Sequence, residues 1–452
     1  MGNCGAQPMR DFESVDFGDA RLNKRLQVAV ENLKANAQKS ILGAQGNRNN
    51  AKAFYRLLGN EKFDMGEMAE ASRNATISRM EGTVLLVEDT ADVNLNGHKK
   101  TEGLGYSSEY VRGLKLHSCI ALTPEGLPLG LAGQDYYTRP EAKSTLSSKE
   151  KAERPIEEKE SNRWLKMLDE STLHIPEDIH VVTICDREGD FYELYAQARE
   201  LGEDFVIRVT HDRATETDDK VLSQIRRTNA AGQVTVNIPR DTRKNIPARQ
   251  ADMEVAYCSV NVKKPSNLKD ANLPDSLAMN IVRITEINTN GKEPIEWILA
   301  TSLPVNSAED AMKIVEYYIQ RWKIERFHFV LKSGCNAQKI QQRSFEKIKA
   351  MLLIYSVIAM YIMAVTYIGR VLPDTTCDVF LSEEEWQILF LMIHKKTKKV
   401  PTSPYSMADA VKYLGQLGSY KRAPSDGPPG LKAIWGGLFR LFEFMEYYIG
   451  LA

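Results

Sequence analysis

The spacing of apolar residues predicts an α/β protein, with a mixed sheet flanked by helices, a β-rich insertion, and helical regions at both ends. Three observations carry this. Between Val84 and Val209 the order is three apolar runs, an amphipathic stretch, a run, an amphipathic stretch and a run. From 215 to about 303, β-rich segments are separated by polar and glycine-containing turns. The stretches before 80 and after 372 are helical in pattern.

Residues 1–80 read as a helical domain, with RLNKRLQVAVENLKANA followed by NAKAFYRLLGN. On the second of these helices Arg48, Lys52 and Arg56 fall four apart, which places three cations on one side. That face suits phosphates, and it equally suits plain exposure to solvent.

A second region, of strands and helices, is expected over 81–372. Its strands are VLLV at 84–87, then 116–122, 127–137, 181–185 and 205–209, the last containing Arg208. The insertion adds VTVNI, MEVAYCSVNV, MNIVRITEI and IEWILATSL, the last containing Trp297. One long helix is then expected over 308–333. The uncharged stretch from Met351 to Gly369 is long enough to be weighed as a membrane span. Its tyrosines, serine and soluble-looking flanks favour a helix buried on all sides, and no membrane partner is expected. The tail, 373–452, holds the basic run HKKTKK, a break at SDGPPG and an aromatic amphipathic ending from about Leu431 to Tyr448. Such a stripe is usually packing, and self-association is its functional counterpart.

Composition narrows the class. The 452 residues are 43% hydrophobic, enough for sizeable cores. With 59 basic and 60 acidic side chains the net charge is −1, so any nucleic-acid partner must be held by local clusters of cations. The six cysteines form no CxxC pair or zinc-like grouping, and the N-terminus lacks the apolar core of a secretory signal. A reduced, cytoplasmic protein is expected.

Asp89 and Asp186 each end a hydrophobic run. Neighbouring strands lie about 4.8 Å apart, so two such carboxylates on one rim can share a metal ion. An aspartate there also serves as a turn or cap residue. Tyr318, Arg321, Glu325 and Lys332 fall within one arc of a helix at about 100° per residue. Arg321 and Glu325 also make an ordinary i,i+4 pair, but apolar neighbours surround these charges. Phosphodiester chemistry is helped by divalent ions, and hard cations want oxygen ligands. Three carboxylates with an arginine and a lysine to hold phosphates answer that need.

The same residues read Y-(2)-R-(3)-E-(6)-K, which resembles the YREK signature of the bacterial insertion-sequence DDE transposases. Further matches are VEDT at Asp89, RGLKLHS at Arg112 to Ser118, EKESNRW at Glu158 to Trp164 and CDREGD at Cys185 to Asp190. The likeness runs from FGDARLNKRL at Phe17 to PPGLKAIWGG near the C-terminus, where WGG departs from an expected WRG. It implies a ribonuclease-H-like catalytic domain with a β insertion, an N-terminal domain that recognises transposon ends and a C-terminal dimerisation region. It implies a catalytic, metal-binding triad of Asp89, Asp186 and Glu325 using Mg²⁺, with Mn²⁺ able to substitute. DNA contacts are expected at Tyr318, Arg321, Lys332, Arg208, Arg48, Lys52 and Arg56, and at Trp297 as a platform for a flipped base. Trp297 otherwise reads as a core aromatic. The implied activity is cut-and-paste transposition through a hairpin, by a homodimer on terminal inverted repeats and target DNA. The alternatives are a domesticated nuclease and a non-catalytic end-binding regulator.

Overall fold

The computed structural model describes residues 7–140, 150, 154–238, 249–289, 294–395, 399–421 and 427–449. The inner part of the HKKTKK run and the start of the SDGPPG break lie outside the described residues. Five helices open the chain: α1 (Pro8–Asp11), α2 (Ala20–Asn36), α3 (Ile41–Ala44), α4 (Arg48–Leu57) and α5 (Met65–Ile77). Asp19, Ser40, Asn47 and Asp64 cap α2 to α5 by accepting a backbone N–H in the first turn, which satisfies donors the helix cannot.

The strands are β1 (Thr83–Asn94), β2 (Tyr106–Ser108), β3 (Val111–Leu122), β4 (Pro128–Tyr137), β5 (His180–Cys185), β6 (Asp204–Arg208), β7 (Gly232–Ile238), β8 (Arg249–Lys263), β9 (Ser276–Glu286) and β10 (Glu296–Thr301). Between them lie α6 (Asn162–Thr172), α7 (Tyr192–Glu200) and α8 (Val221–Arg227). All ten strands join one sheet in the order β2-β3-β1-β5-β6-β10-β9-β8-β7, with β4 on β3. β1, β5 and β6 are parallel, and β3 runs antiparallel to β1. The β-rich segment expected as an insertion within the domain is continuous with the main sheet, because β10 returns beside β6 with Leu299 opposite Arg208.

Alternation along β1 assigns the two faces. Leu85 and Val87 point to the larger core, shared with the helices that follow the sheet, while Val84 and Leu86 point to Met167 of α6. Those later helices are α9 (Ala308–Ile319), α10 (Trp322–Phe329), α11 (Phe345–Val371), α12 (Glu383–Ile393), α13 (Met407–Leu417) and α14 (Leu431–Ile449). The apolar helix α11 is buried all round from Met351 to Ile368, as expected of a core helix.

The helix expected to run unbroken over 308–333 is divided. It tightens at Gln320, whose N–H reaches Tyr317, while those of Arg321 and Lys323 reach Tyr318 and Gln320, all i,i+3 bonds. It then widens into a π turn over Val330–Gly334.

The aromatic ending differs from expectation too. Leu431, Ile434, Trp435, Leu438, Leu441 and Phe442 of α14 are buried within this chain, and among its described side chains Phe444 and Tyr447 are the exposed large rings. Trp435 packs on Phe329, and the buried Lys34 of α2 pairs with Glu385 at 3.1 Å beneath Phe442.

Candidate active site

Val87 of β1 lies opposite Ile184 of β5 in parallel register. Asp89 lies two residues further along β1, which continues to Asn94 instead of ending at the acid as expected, and Asp186 lies two residues beyond Ile184, just past the end of β5 and at the same level. By alternation both share the face of Leu85, Val87, Val182 and Ile184, the face on which α10 packs. A carboxylate within β1 and one just after β5 thus share the face against which the helix of Glu325 packs.

The turn after β5 is tightly drawn. Asp186 accepts the Glu188 N–H at 2.8 Å through Oδ1 and so caps its own turn. A Cβ at Gly189 would come within 2.6 Å of the Cys185 Cβ, so a larger residue would force this turn outward. On β1 the Thr90 N–H donates to Asp89 Oδ1 at 2.8 Å.

Electrostatics shows the convergence. Burial pushes the Asp89 carboxyl up to about 7, the negative charges of Asp186 and Glu325 add to that, and Arg321 opposes it. Glu325 is held by Arg321, Nη2 to Oε1 at 2.8 Å. The Arg321 guanidinium stands 5.8 Å from the Tyr318 ring and 5.4 Å from that of Trp322. Burial raises the Tyr318 hydroxyl, with Arg321 and Arg208 lowering it and Asp186 raising it, so its neighbours are the site's own charges. Burial lowers Arg208, whose Nη2 donates to the Glu296 carbonyl at 3.2 Å.

The site differs from expectation in two respects. Among the described residues no three His, Cys, Asp or Glu side chains are gathered closely enough to hold a metal ion. Three anions repel one another, and each has a rival partner: Thr90 for Asp89, Glu188 for Asp186 and Arg321 for Glu325. The donor set itself, three carboxylates of which burial and then its acidic neighbours raise Asp89, suits a hard divalent cation. Trp297 is the second difference. It is 7% exposed and meets Tyr318 edge-on at 5.6 Å, because β10 lies inside the sheet with α9 against it. The ring is therefore packed as a core aromatic.

Lys332, in the π turn, lines a cleft of about 590 Å³ with Asn94, His98 and Lys339. A second cleft of about 600 Å³ adjoins it, sharing Gly97, His98 and Gln341, and adds Tyr55, Lys99, Lys100, Arg343 and Lys347. No carboxylate lines either one. The path runs from the active-site helix to Tyr55 on α4, where Arg48, Lys52 and Arg56 are exposed. Sequence reading missed this groove, although Lys99-Lys100 and Arg343 with Lys347 one turn on were visible signals.

Five further residues were given no role from sequence, although all but His328 stand in motifs quoted above. His328 lies one turn beyond Glu325, with Nδ1 3.9 Å from Asp89 Oδ2. Burial, then Lys332, lowers it to about 3, so it is neutral near pH 7. Its i+3 spacing from Glu325 could have drawn notice. Behind Asp89 the Thr90 hydroxyl lies 2.9 Å from His117 Nδ1, and His117 Nε2 lies 3.3 Å from Glu88 Oε2. Burial pushes His117 down and Glu88 up, which favours the uncharged forms. Arg163 donates to Thr90 Oγ1 at 3.0 Å.

Residues 9–63 match the family described as Transposase DNA-binding, and residues 155–362 match Transposase DDE domain. The first stretch contains Arg48, Lys52 and Arg56. The second contains Asp186, Arg208, Trp297, Tyr318, Arg321, Glu325 and Lys332, while Asp89 lies between the two. Among solved structures, the cryo-EM piggyBac transposase synaptic complex with hairpin DNA aligns over 96% of this chain and 84% of that chain. Its identity is 9% and its TM-score 0.39, a likeness too slight to bear on fold or chemistry. The chain thus carries a transposase DNA-binding domain followed by a transposase DDE domain, the domain pair of a DNA-binding transposase.

Proposed function

We propose that the chain is a cut-and-paste transposase of the YREK-signature type, cutting transposon ends and joining them to target DNA at Asp89, Asp186 and Glu325. The observation that carries this reading is the register of Asp89 and Asp186 on adjacent parallel strands, facing the helix of Glu325. The strand order β4-β3-β1-β5-β6, in which β3 alone runs against the other four, supports a ribonuclease-H-like centre.

Divalent ions, Mg²⁺ or Mn²⁺, would be held by the three carboxylates and would supply activation of the attacking oxygen and stabilisation of the leaving one. The chain's own residues do the rest. Arg321 and Arg208 offer planar donors to phosphate oxygens, and Lys332 offers a point charge at the mouth of the basic groove. Water attacks a phosphodiester and releases a 3′ hydroxyl, which attacks the opposite strand to close a hairpin. A second hydrolysis reopens it, and the 3′ hydroxyl then attacks target DNA. The groove from Lys332 to α4 provides a track for the duplex, with a homodimer pairing two ends.

The test uses the purified chain with Mg²⁺ and duplexes bearing the inverted repeats that flank its coding region. Cleavage at the repeat terminus with a hairpin-sized product on a denaturing gel is expected. Specific binding without cleavage would favour the end-binding regulator instead.

A further inference from the structure

Asp89 and Asp186 are each tied by one oxygen to a backbone N–H, of Thr90 and Glu188 respectively. The side chains of those same two residues converge on a single group, the guanidinium of Arg163 on α6. Its Nε donates to Thr90 Oγ1 at 3.0 Å and its Nη2 to Glu188 Oε2 at 2.6 Å. Its Nη1 donates to the Glu160 carbonyl at 2.7 Å, so all three nitrogens are engaged.

The clamp is anchored behind as well as in front. The Arg163 side chain is 11% exposed and lies 5.5 Å from the Tyr137 ring. The adjacent Trp164 is buried and meets His117 edge-on at 4.6 Å. Thr90 Oγ1, which accepts from Arg163, also lies 2.9 Å from His117 Nδ1, and His117 Nε2 lies 3.3 Å from Glu88 Oε2. Polar contacts thus link Arg163 through Thr90 and His117 to Glu88.

We propose that Arg163 is a positioning residue that fixes the spacing of Asp89 and Asp186, and thereby how tightly the pair holds a divalent cation. This rests on the reading of those carboxylates as the cutting centre. A planar fork with three directed donors spans two backbone elements at a set distance, which a flexible ammonium cannot do. Groups that orient ligands without touching the ion commonly set metal affinity by about 10- to 100-fold.

The experiment titrates Mn²⁺ into the full chain and follows the free ion by electron paramagnetic resonance, with end binding and thermal unfolding measured in parallel. Arg163→Gln is expected to weaken Mn²⁺ binding about 10- to 100-fold while end binding holds. Arg163→Lys should recover only part of the loss. Thr90→Val and Glu188→Ala each remove one prong, and Glu188 is exposed enough for its variant to fold if Arg163→Gln does not. Each should weaken binding several-fold. Wild-type affinity in folded Arg163→Gln, or in both single-prong variants, overturns the proposal. If the wild type shows no Mn²⁺ binding that Asp89→Asn abolishes, the cutting-centre reading fails and the proposal falls with it.

Discussion

At Asp89, burial and two neighbouring carboxylates act in the same direction, and the consequence is a pH dependence of stability. Its carboxyl is pushed up to about 7, whereas an unfolded aspartate titrates near its ordinary value of about 3.9. Between those two values the folded chain keeps a proton that the unfolded chain has released, so stability falls as pH rises through that window. Above about 7 the full cost is present. Asp89→Asn should therefore be the more stable protein at pH 8 in chelator, by a few kcal/mol and about 4 at most, and the advantage should shrink towards pH 4. Denaturant unfolding at both pH values checks this, and an equal difference at the two would show that the carboxyl is not raised. Trp297 gives a second test at this scale. Packed in the core, it should cost about 3–5 kcal/mol when replaced by Ala, again by denaturant unfolding. A near-neutral Trp297→Ala that slowed hairpin closure alone would restore the platform reading.

Among the elements, α4 is the clearest candidate for sequence-independent affinity, because Arg48, Lys52 and Arg56 are exposed along one side at the end of the basic groove. Replacing all three by Gln should weaken end binding and flatten the log–log dependence on salt by about 2 to 3 units, since each phosphate contact contributes close to one. An unchanged slope in a filter-binding titration would make the stripe an ordinary solvated face. Elements also show what sequence could and could not tell. The strands of Asp89 and Asp186 were legible because continuous apolar runs end at each acid. The helix of Glu325 was legible from its spacing, but its tightening at Gln320 and π turn at Lys332 were not, since single hydrogen bonds leave no periodic trace. Arg163 stood in a motif already noted, yet its partners Thr90 and Glu188 are 73 and 25 residues away, beyond anything spacing can link.

For the whole molecule, the fold class was legible and the assembly of the sheet was not. The apolar runs of β7 to β10 marked strands, but β6 and β10 lie on either side of the inserted segment, and no local pattern said that they pair. That pairing brings Trp297 against Tyr318, which decided the environment of the ring. The C-terminal aromatic stripe was legible as packing, and its partner proved to be this chain: α14 closes over α2, α12 and α13. A homodimer on paired ends would have to use what α14 leaves outside, Phe444 and Tyr447 included. The central claim remains that three carboxylates from β1, the turn after β5 and α10 cut DNA together. The most direct measurement is cleavage of an end duplex in Mg²⁺ by the wild type, Asp89→Asn, Asp186→Asn and Glu325→Gln, with end binding followed in the same samples. The wild type should cleave while each variant binds the end but cuts at least about 1,000-fold more slowly, because a ligand rather than a phosphate contact is lost. Any one variant cutting at the wild-type rate would remove that residue from the centre and contradict the triad.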